Sequence, residues 1–282
     1  MGSVILIADS GSTKTDWCVI KDGASVMSVH TMGLNPYFQT SEEMKDEIEN
    51  ILMPQIGDVA FDAVYFYGAG CVFDKVHDVR ALISSCIKAN VVEIYSDLLA
   101  AAHSACGHDA GIACILGTGS NSCFYDGVNI LNNVAPLGYI LGDEGGGATL
   151  GRLLVSDILK ELLPEHIRDA FYEQYKLTQA DILDRVYKQP FPNRFLASLS
   201  PFLYENIDVP EIKAIVLNSF TSFLTRNVMQ YDYEKNAVNF IGSIAYHYRE
   251  ILIKASESVG LRVGKILKSP MNGLISYYNS GS

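Results

Sequence analysis

No apolar run in this 282-residue chain approaches the roughly 18–20 residues that a membrane-spanning helix needs. Basic residues are scarce as well. Lys and Arg number 21 against 32 Asp and Glu, a formal net charge of −11. A chain of that sign does not attract nucleic acid or an anionic membrane through its bulk field. Six cysteines stand at positions 18, 71, 86, 106, 114 and 123 without a Cys-x-x-Cys pair, and the six histidines show no companion spacing. That argues against zinc ligation and fits reduced, buried thiols. The start, Met1-Gly-Ser-Val-Ile-Leu-Ile7, has no basic region and no cleavable apolar segment. Leu6 stands where a myristoylation signal wants Ser or Thr. A cytoplasmic protein is the expectation. Low-complexity stretches and flexible linkers are missing too.

What is present is an apolar chain, 49% hydrophobic and 19% charged, long enough for one large or two moderate domains. Its most informative stretch is Ile5-Leu-Ile-Ala-Asp9-Ser-Gly11-Ser-Thr13-Lys-Thr15, followed by the strand-like Trp17-Cys-Val-Ile20. An apolar run ends in an aspartate, and a turn of small residues follows. Small residues let backbone approach a ligand closely, and successive N–H groups in such a turn form an anion-binding concavity. The carboxylate of Asp9 suits a magnesium ion, which prefers oxygen ligands and phosphate partners. Taken alone, the stretch also fits an ordinary hairpin with a polar tip.

A second stretch repeats the plan. Gly111-Ile-Ala-Cys-Ile-Leu116 runs into Gly117-Thr-Gly-Ser120, then Asn121-Ser-Cys-Phe-Tyr125, then Asp126-Gly127. Asp22-Gly23 closes the first hairpin in the same way, and Asp-Gly between apolar runs is a strong hairpin signal. Two such hairpins about a hundred residues apart suggest an internal duplication, with two half-domains facing a shared nucleotide.

The rest of the pattern is α/β. Residues 4–9, 15–20 and 25–30 read as an antiparallel meander, and Ser41 with its acidic followers opens a helix running to Ile51. Strand 63–67, helix 75–89, strand 91–95 and helix 98–106 alternate, which implies a parallel portion of the sheet. Beyond residue 107 the hairpins lead to a helix over 146–163 and a helical middle to about Arg226. A turn at Phe191-Pro192-Asn193, a strand over 238–241, a helix over 246–258 and a last helix over 273–279 complete the reading. The domains expected are 1–107 with 270–282, and 108–269. Trp17 is read as core, Lys14 as a solvated charge, and Tyr172, Tyr175 and Tyr187 as helix packing.

Several residues admit two roles. Asp97 follows a strand end, where open α/β sheets bind ligands, yet Asp also caps helices. Asp143, in Gly142-Asp-Glu-Gly-Gly146, could likewise cap the helix it precedes, or its carboxylate could accept hydrogen bonds from a polyol. Asn35 precedes a proline, as turn residues do, and its amide could also meet a hydroxyl or carbonyl. Gly70 follows a strand and could turn the chain or offer its N–H. Gly242-Ser243 joins a strand to a helix, where small residues are common.

Taken together, Asp9-Ser-Gly-Ser-Thr-Lys-Thr15, Tyr95-Ser-Asp97, Leu116-Gly-Thr-Gly-Ser-Asn121, Gly142-Asp-Glu-Gly-Gly146 and Phe240-Ile-Gly-Ser-Ile-Ala245 resemble, in order, the motifs of the actin-like ATPase superfamily. Within it the chain looks most like the BadF/BadG/BcrA/BcrD ATPase and N-acetylglucosamine kinase family. The resemblance spans residues 5 to 278. It implies two ribonuclease H-like domains with mixed five-stranded sheets flanked by helices, and an active site in the cleft between them. It implies ATP and Mg2+, with phosphates at Asp9, Gly11, Ser12, Thr13, Thr15, Gly117, Thr118, Gly119 and Ser120, the metal at Asp9, and adenosine at Gly242 and Ser243. Asp97 becomes the catalytic carboxylate, and Asn35, Gly70, Asp97, Asn121, Gly138, Asp143 and Glu144 the sugar site. Gly119 would then serve the nucleotide, and Asp143 the sugar. The expected reaction is phosphorylation of the 6-hydroxyl of N-acetylglucosamine or glucosamine, in a homodimer, with no nucleic-acid or membrane partner. Gly146-Gly147-Ala148 departs mildly from the Gly-Ser-Ala common in such kinases. The alternative within the same family is an ATPase that activates a 2-hydroxyacyl-CoA dehydratase or benzoyl-CoA reductase through an iron–sulfur cluster, which needs cysteines placed to ligate it.

Overall fold

The first apolar run forms a strand covered on both faces, as near-continuous hydrophobic strands are. In the computed structural model, which describes residues 3–11, 13–72 and 74–280, β1 (Val4–Ser10), β2 (Lys14–Lys21) and β3 (Ala24–Met32) make the antiparallel meander. β1 also pairs in parallel with β4 (Phe61–Gly68), and β4 with β5 (Ala89–Ser96), giving the order β3-β2-β1-β4-β5. Side chains alternate across the sheet. Leu6 and Ala8 join Trp17, Val19, Phe66 and Ile83 in one core layer, while Ile7 joins Cys18, Ile20 and Tyr67 in the other.

Helices fill both faces of this sheet. α1 (Ser41–Glu47) starts one residue earlier than a Ser41 cap would require. Thr40 is the cap, and Thr40 with Glu43 forms a capping box. The helical path then continues through a π turn, Ile48–Leu52, into α2 (Met53–Ile56). α3 (Lys75–Cys86) stops short of the expected residue 89 because Ile87 is already extended, at φ −120 and ψ 124, and leads into β5. α4 (Asp97–Cys106) packs beside the C-terminal helix, Met271–Ser280. Tyr278 Oη lies 2.6 Å from Tyr67 Oη, which lies 2.8 Å from His103 Nδ1. Tyr277 stacks on His103 at 4.0 Å. Burial lowers the His103 pKa to about 4, so the ring is neutral around pH 7. These residues form one unit, Met1–Asp109 with Ser269–Ser282.

The second unit, Ala110–Lys268, repeats the strand plan. β6 (Gly111–Leu116), β7 (Ser120–Tyr125) and β8 (Ile130–Asn132) are the meander. β6 pairs in parallel with β9 (Val238–Ile241), and β9 with β10 (Val263–Leu267), a strand with only a weak alternating pattern that the sequence reading misses. Read from β8, the order β8-β7-β6-β9-β10 matches that of the first sheet. Between β8 and β9 run α5 (Gly138–Leu141), α6 (Gly147–Leu159), α7 (Glu165–Tyr175), α8 (Gln179–Tyr187), α9 (Pro192–Ser198), α10 (Ser200–Glu205) and α11 (Pro210–Arg226). Phe171, Phe202, Phe220, Phe223 and Phe240 anchor their core. α6 ends four residues before the expected 163, since Glu161 takes φ 57 and turns the chain toward Pro164. The helix expected over 246–258 is two, α12 (Ser243–His247) and α13 (Arg249–Ser258), broken at Tyr248, whose buried hydroxyl donates to the Ser200 carbonyl. No described helix is long and apolar enough to cross a membrane.

Phe66 sits at the centre of the first core, 1% exposed and 5.8 Å from the Trp17 ring. Truncation to alanine removes a full aromatic ring, at a cost of about 3–5 kcal/mol. Phe66→Ala is therefore expected to lower the urea midpoint and shift the fluorescence of Trp17, the only tryptophan. An unchanged midpoint and spectrum would contradict this packing.

Candidate active site

Parallel pairing brings the ends of three strands of the first sheet into one row. Ser10 is opposite Gly68, and Gly68 opposite Ser96. Asp9, near the end of β1, and Asp97, just past β5, therefore share the carboxyl edge. They stand two strand spacings apart, roughly 10 Å. Between them the chain leaves β4 through Gly68-Ala69-Gly70, where the Ala69 N–H donates to the Ser10 carbonyl at 2.8 Å. The capping role that Asp97 could have filled belongs to Ser96, whose hydroxyl accepts from the Leu99 N–H. The Asp97 carboxylate accepts from the N–H of its neighbour Leu98, at 2.9 Å, and from its own backbone N–H.

Both carboxylates are recessed, enclosed by protein atoms yet still in reach of solvent. Burial raises the pKa of Asp97. Burial pushes Asp9 up to about 7, with the like charges of Asp16 and Asp97 adding to the shift and Lys14 opposing it. Lys14 lies 2.8 Å from Asp16 and is mostly solvated, as its composition suggests. An acidic recess of this kind fits a hard divalent cation. Among the described residues no three His, Cys, Asp or Glu side chains converge as a ligand cage. Magnesium needs none, since it keeps several waters and takes one or two carboxylates beside a phosphate. Asp9 is the residue that would hold it, and it would neutralise phosphate charge there.

The first turn is closed by Gly11 N–H donating to Lys14 O at 3.0 Å, and Thr13 O accepts the Gly33 N–H at 3.1 Å. Ser12 lies outside the described residues. Thr15 faces inward. Its hydroxyl is 2.7 Å from Ser10 Oγ and donates to Met32 O, and the Leu34 N–H donates to both hydroxyls. Thr15 and Ser10, a residue the motif analysis passed over, thus hold the loop that carries Asn35. The Asn35 Oδ1 accepts the Tyr37 N–H at 3.0 Å, so its turn role is real and its NH2 is the group available to a ligand. Gly70, at φ 80, packs against the same side chain; a Cβ there would stand 2.6 Å from Asn35 Oδ1.

In the second unit, Gly117–Ser120 forms the turn after β6, with the Gly117 N–H donating to Gly119 O. Gly242, after β9, has φ 124, and a Cβ there would lie 2.2 Å from Leu116 O. Only glycine permits that approach, and it seats the Gly242-Ser243 motif directly beside the start of the 117–120 turn. Asp143 does not cap α6. The cap is Gly146, without a side-chain bond, and the Asp143 carboxylate instead accepts the Ser120 N–H. Burial raises its pKa against that bond. Glu144 pairs with Arg226 at 2.9 Å, and Gly145 N–H donates to Ser219 Oγ. Neither partner carries a local sequence signal. Asn121 is held by Asn133, whose Nδ2 donates to its Oδ1 at 2.9 Å. Gly138, at φ 74, is exposed at the start of α5. The structure thus groups Asp9, Asp97, Asn35 and Gly70 in one unit and the turn 117–120, Gly242, Asp143 and Glu144 in the other. Cys18, Cys71, Cys114 and Cys123 are buried, and burial pushes the Cys71 thiol up to about 12.

Two duplicated sheets, each with a small-residue turn after its first strand, define the actin-like ATPase fold. A protein of Porphyromonas gingivalis that carries the provisional name N-acetylglucosamine kinase is 49% identical, with a TM-score of 0.96 over 98% of this chain and 99% of its own. The chain belongs to its family, the BadF/BadG/BcrA/BcrD ATPase and N-acetylglucosamine kinase family. A provisionally named N-acetylglucosamine kinase of Chromobacterium violaceum shares the fold at 16% identity, with a TM-score of 0.78 and 98% of each chain covered. A ROK family glucokinase of Streptomyces griseus, solved with glucose and AMPPNP, does so at 16% identity and a TM-score of 0.61, with 99% of each chain covered. No family model and no curated protein matches the chain.

The Asp9 shift has a stability consequence. Its folded pKa of about 7 lies above the ordinary 3.8, so the folded state binds the proton more tightly. Stability from this group is full below pH 4 and is lost as pH rises through 7. Asp9→Asn removes that loss. The variant is expected to melt higher than the parent at pH 8, by on the order of 3 °C, and to match it near pH 4. Comparing the two proteins cancels His103, whose burial acts in the opposite sense. A variant no more stable than the parent at pH 8 contradicts the buried charge.

Proposed function

We propose that the protein transfers the γ-phosphoryl group of ATP to the 6-hydroxyl of an amino sugar, N-acetylglucosamine or glucosamine. The observation that carries this is the pair of recessed carboxylates, Asp9 and Asp97, on the carboxyl edge of one sheet beside a glycine-rich turn. Asp97 orients the acceptor hydroxyl and takes its proton as the oxygen attacks the γ-phosphorus. The bond to the bridging oxygen breaks, and ADP leaves with the electron pair. Burial of Asp97 favours its accepting that proton, because it raises the basicity of the carboxylate.

The N–H groups of the turn at 11–15 in the first unit, and of the turn at 117–120 in the second, are each suited to phosphate. Gly242 and Ser243 leave room for the adenosine. Magnesium at Asp9, when bound, neutralises charge on the phosphates. Asn35, Gly70, Asn121, Gly138, Asp143 and Glu144 supply the acceptor side, with Arg226 fixing Glu144. The identity of 49% with the Porphyromonas gingivalis protein supports the amino-sugar acceptor. A homodimer and a cytoplasmic setting belong to the same proposal on the family resemblance alone. The dehydratase-activator alternative gains nothing from the cysteines, four of which are sealed in the cores.

Asp97→Asn keeps the size and loses the base. Its kcat for phosphorylation of N-acetylglucosamine is expected to fall by about 10²–10⁴, with the KM for ATP and for sugar held within about threefold. Turnover near that of the parent would remove Asp97 from the reaction.

A further inference from the structure

The loop bearing the Gly-Asp-Glu-Gly signature and the second phosphate turn are bonded to each other along their length. Gly147 N–H donates to Gly117 O at 2.8 Å, and Ala148 N–H to Thr118 O at 2.9 Å. A Cβ at Gly146 would lie 2.7 Å from the Gly119 carbonyl carbon, and one at Gly119 would lie 2.5 Å from Asp143 Oδ2. The glycine at 119 is thus required by Asp143 as much as by any phosphate, which revises its assignment to the nucleotide alone. The Ser120 N–H, the last donor of the turn, points at the Asp143 carboxylate. Asp143 itself takes φ 53, with its carbonyl accepting the Gly146 N–H at 2.9 Å. A non-glycine residue in this region is uncommon, and Asp tolerates it better than most. The conformation aims the side chain across the gap rather than along α6.

We propose that Asp143 is a positioning residue that couples the two substrates: one carboxylate oxygen holds the Ser120 amide and so the phosphate turn, and the other takes an acceptor hydroxyl. The inference rests on the amino-sugar kinase reading for the identity of the two ligands. A carboxylate has acceptor capacity for both bonds. A sugar hydroxyl that fixes the carboxylate also fixes the Ser120 amide, and the turn is then ordered before ATP arrives. Linkage makes the effect reciprocal, so bound nucleotide tightens sugar by the same factor.

Two variants separate this from a purely structural role. Asn at 143 keeps an oxygen for the Ser120 N–H and loses the charge; Ala loses both. AMPPNP affinity is measured by titration, without sugar and with saturating N-acetylglucosamine. In the parent the sugar is expected to tighten AMPPNP about fivefold or more. Without sugar, Asp143→Asn is expected to bind AMPPNP within about threefold of the parent and Asp143→Ala about tenfold more weakly, with the sugar effect lost in Ala. A structural role alone lowers melting temperature and leaves AMPPNP affinity in the folded fraction unchanged. An Ala variant that binds AMPPNP like the parent, or an Asn variant as impaired as Ala, overturns the proposal.

Hydrogen exchange at the Ser120 amide of the parent tests the same bond without mutation, and decides the matter should the Ala variant not fold. The amide is expected to be protected without ligand and further protected by N-acetylglucosamine. Rapid exchange overturns the proposal. A parent that binds no AMPPNP, or no N-acetylglucosamine, would instead sink the kinase reading, while the amide protection still reports the bond.

Discussion

If this chain holds ATP as proposed, backbone amides, not lysines, must carry the positive potential of its site. A chain of net charge −11 offers a polyphosphate little attraction at long range. Among their described residues, the two turns proposed for phosphate hold one cation, Lys14, and it is paired with Asp16. The remaining donors are N–H groups in turns of small residues, and those turns must be held open from behind. In the second unit the support is the backbone of residues 146–148 lying against residues 117–119. In the first it is the Ser10–Thr15–Leu34 knot beneath the hairpin. Glycine and small hydroxyl residues gather here because two main chains approach too closely for anything larger.

The same edge concentrates negative charge. The parallel pairing of β1, β4 and β5 sets Asp9 and Asp97 on one rim, and burial works against the ionisation of both. Two such groups are costly in an empty protein. In the proposed reaction a divalent cation and a substrate hydroxyl would offset that cost, the first by charge and the second by a hydrogen bond. The stability cost and the chemistry thus have one source, and strained or destabilised groups are commonly found where function needs them.

Much of this was legible in the order of residues. The hairpins at 4–20 and 111–125 announce themselves through apolar runs and Asp-Gly turns, and the duplication through their likeness. Asp97 declares its place by following a strand. Other features depend on partners far along the chain and leave no local trace. Arg226 reaches Glu144 across 82 positions (226 minus 144), Ser219 reaches Gly145 across 74, and Asp143 crosses to Ser120 rather than capping α6. Tyr248 splits a helix that its own periodicity would continue, because its ring belongs to the core beneath α10. β10 is parallel and paired on one side only, so its alternation is weak.

The central claim is that phosphoryl transfer from ATP needs an amino-sugar hydroxyl as acceptor. The direct measurement is coupled ADP release with magnesium, run with N-acetylglucosamine, glucosamine, N-acetylmuramic acid, glucose and glycerol in turn, and without any acceptor. The predicted result is ADP formed in step with a 6-phosphorylated amino sugar, and little ADP with water alone. ADP released at one rate whatever acceptor is present, with no sugar phosphate formed, would contradict it.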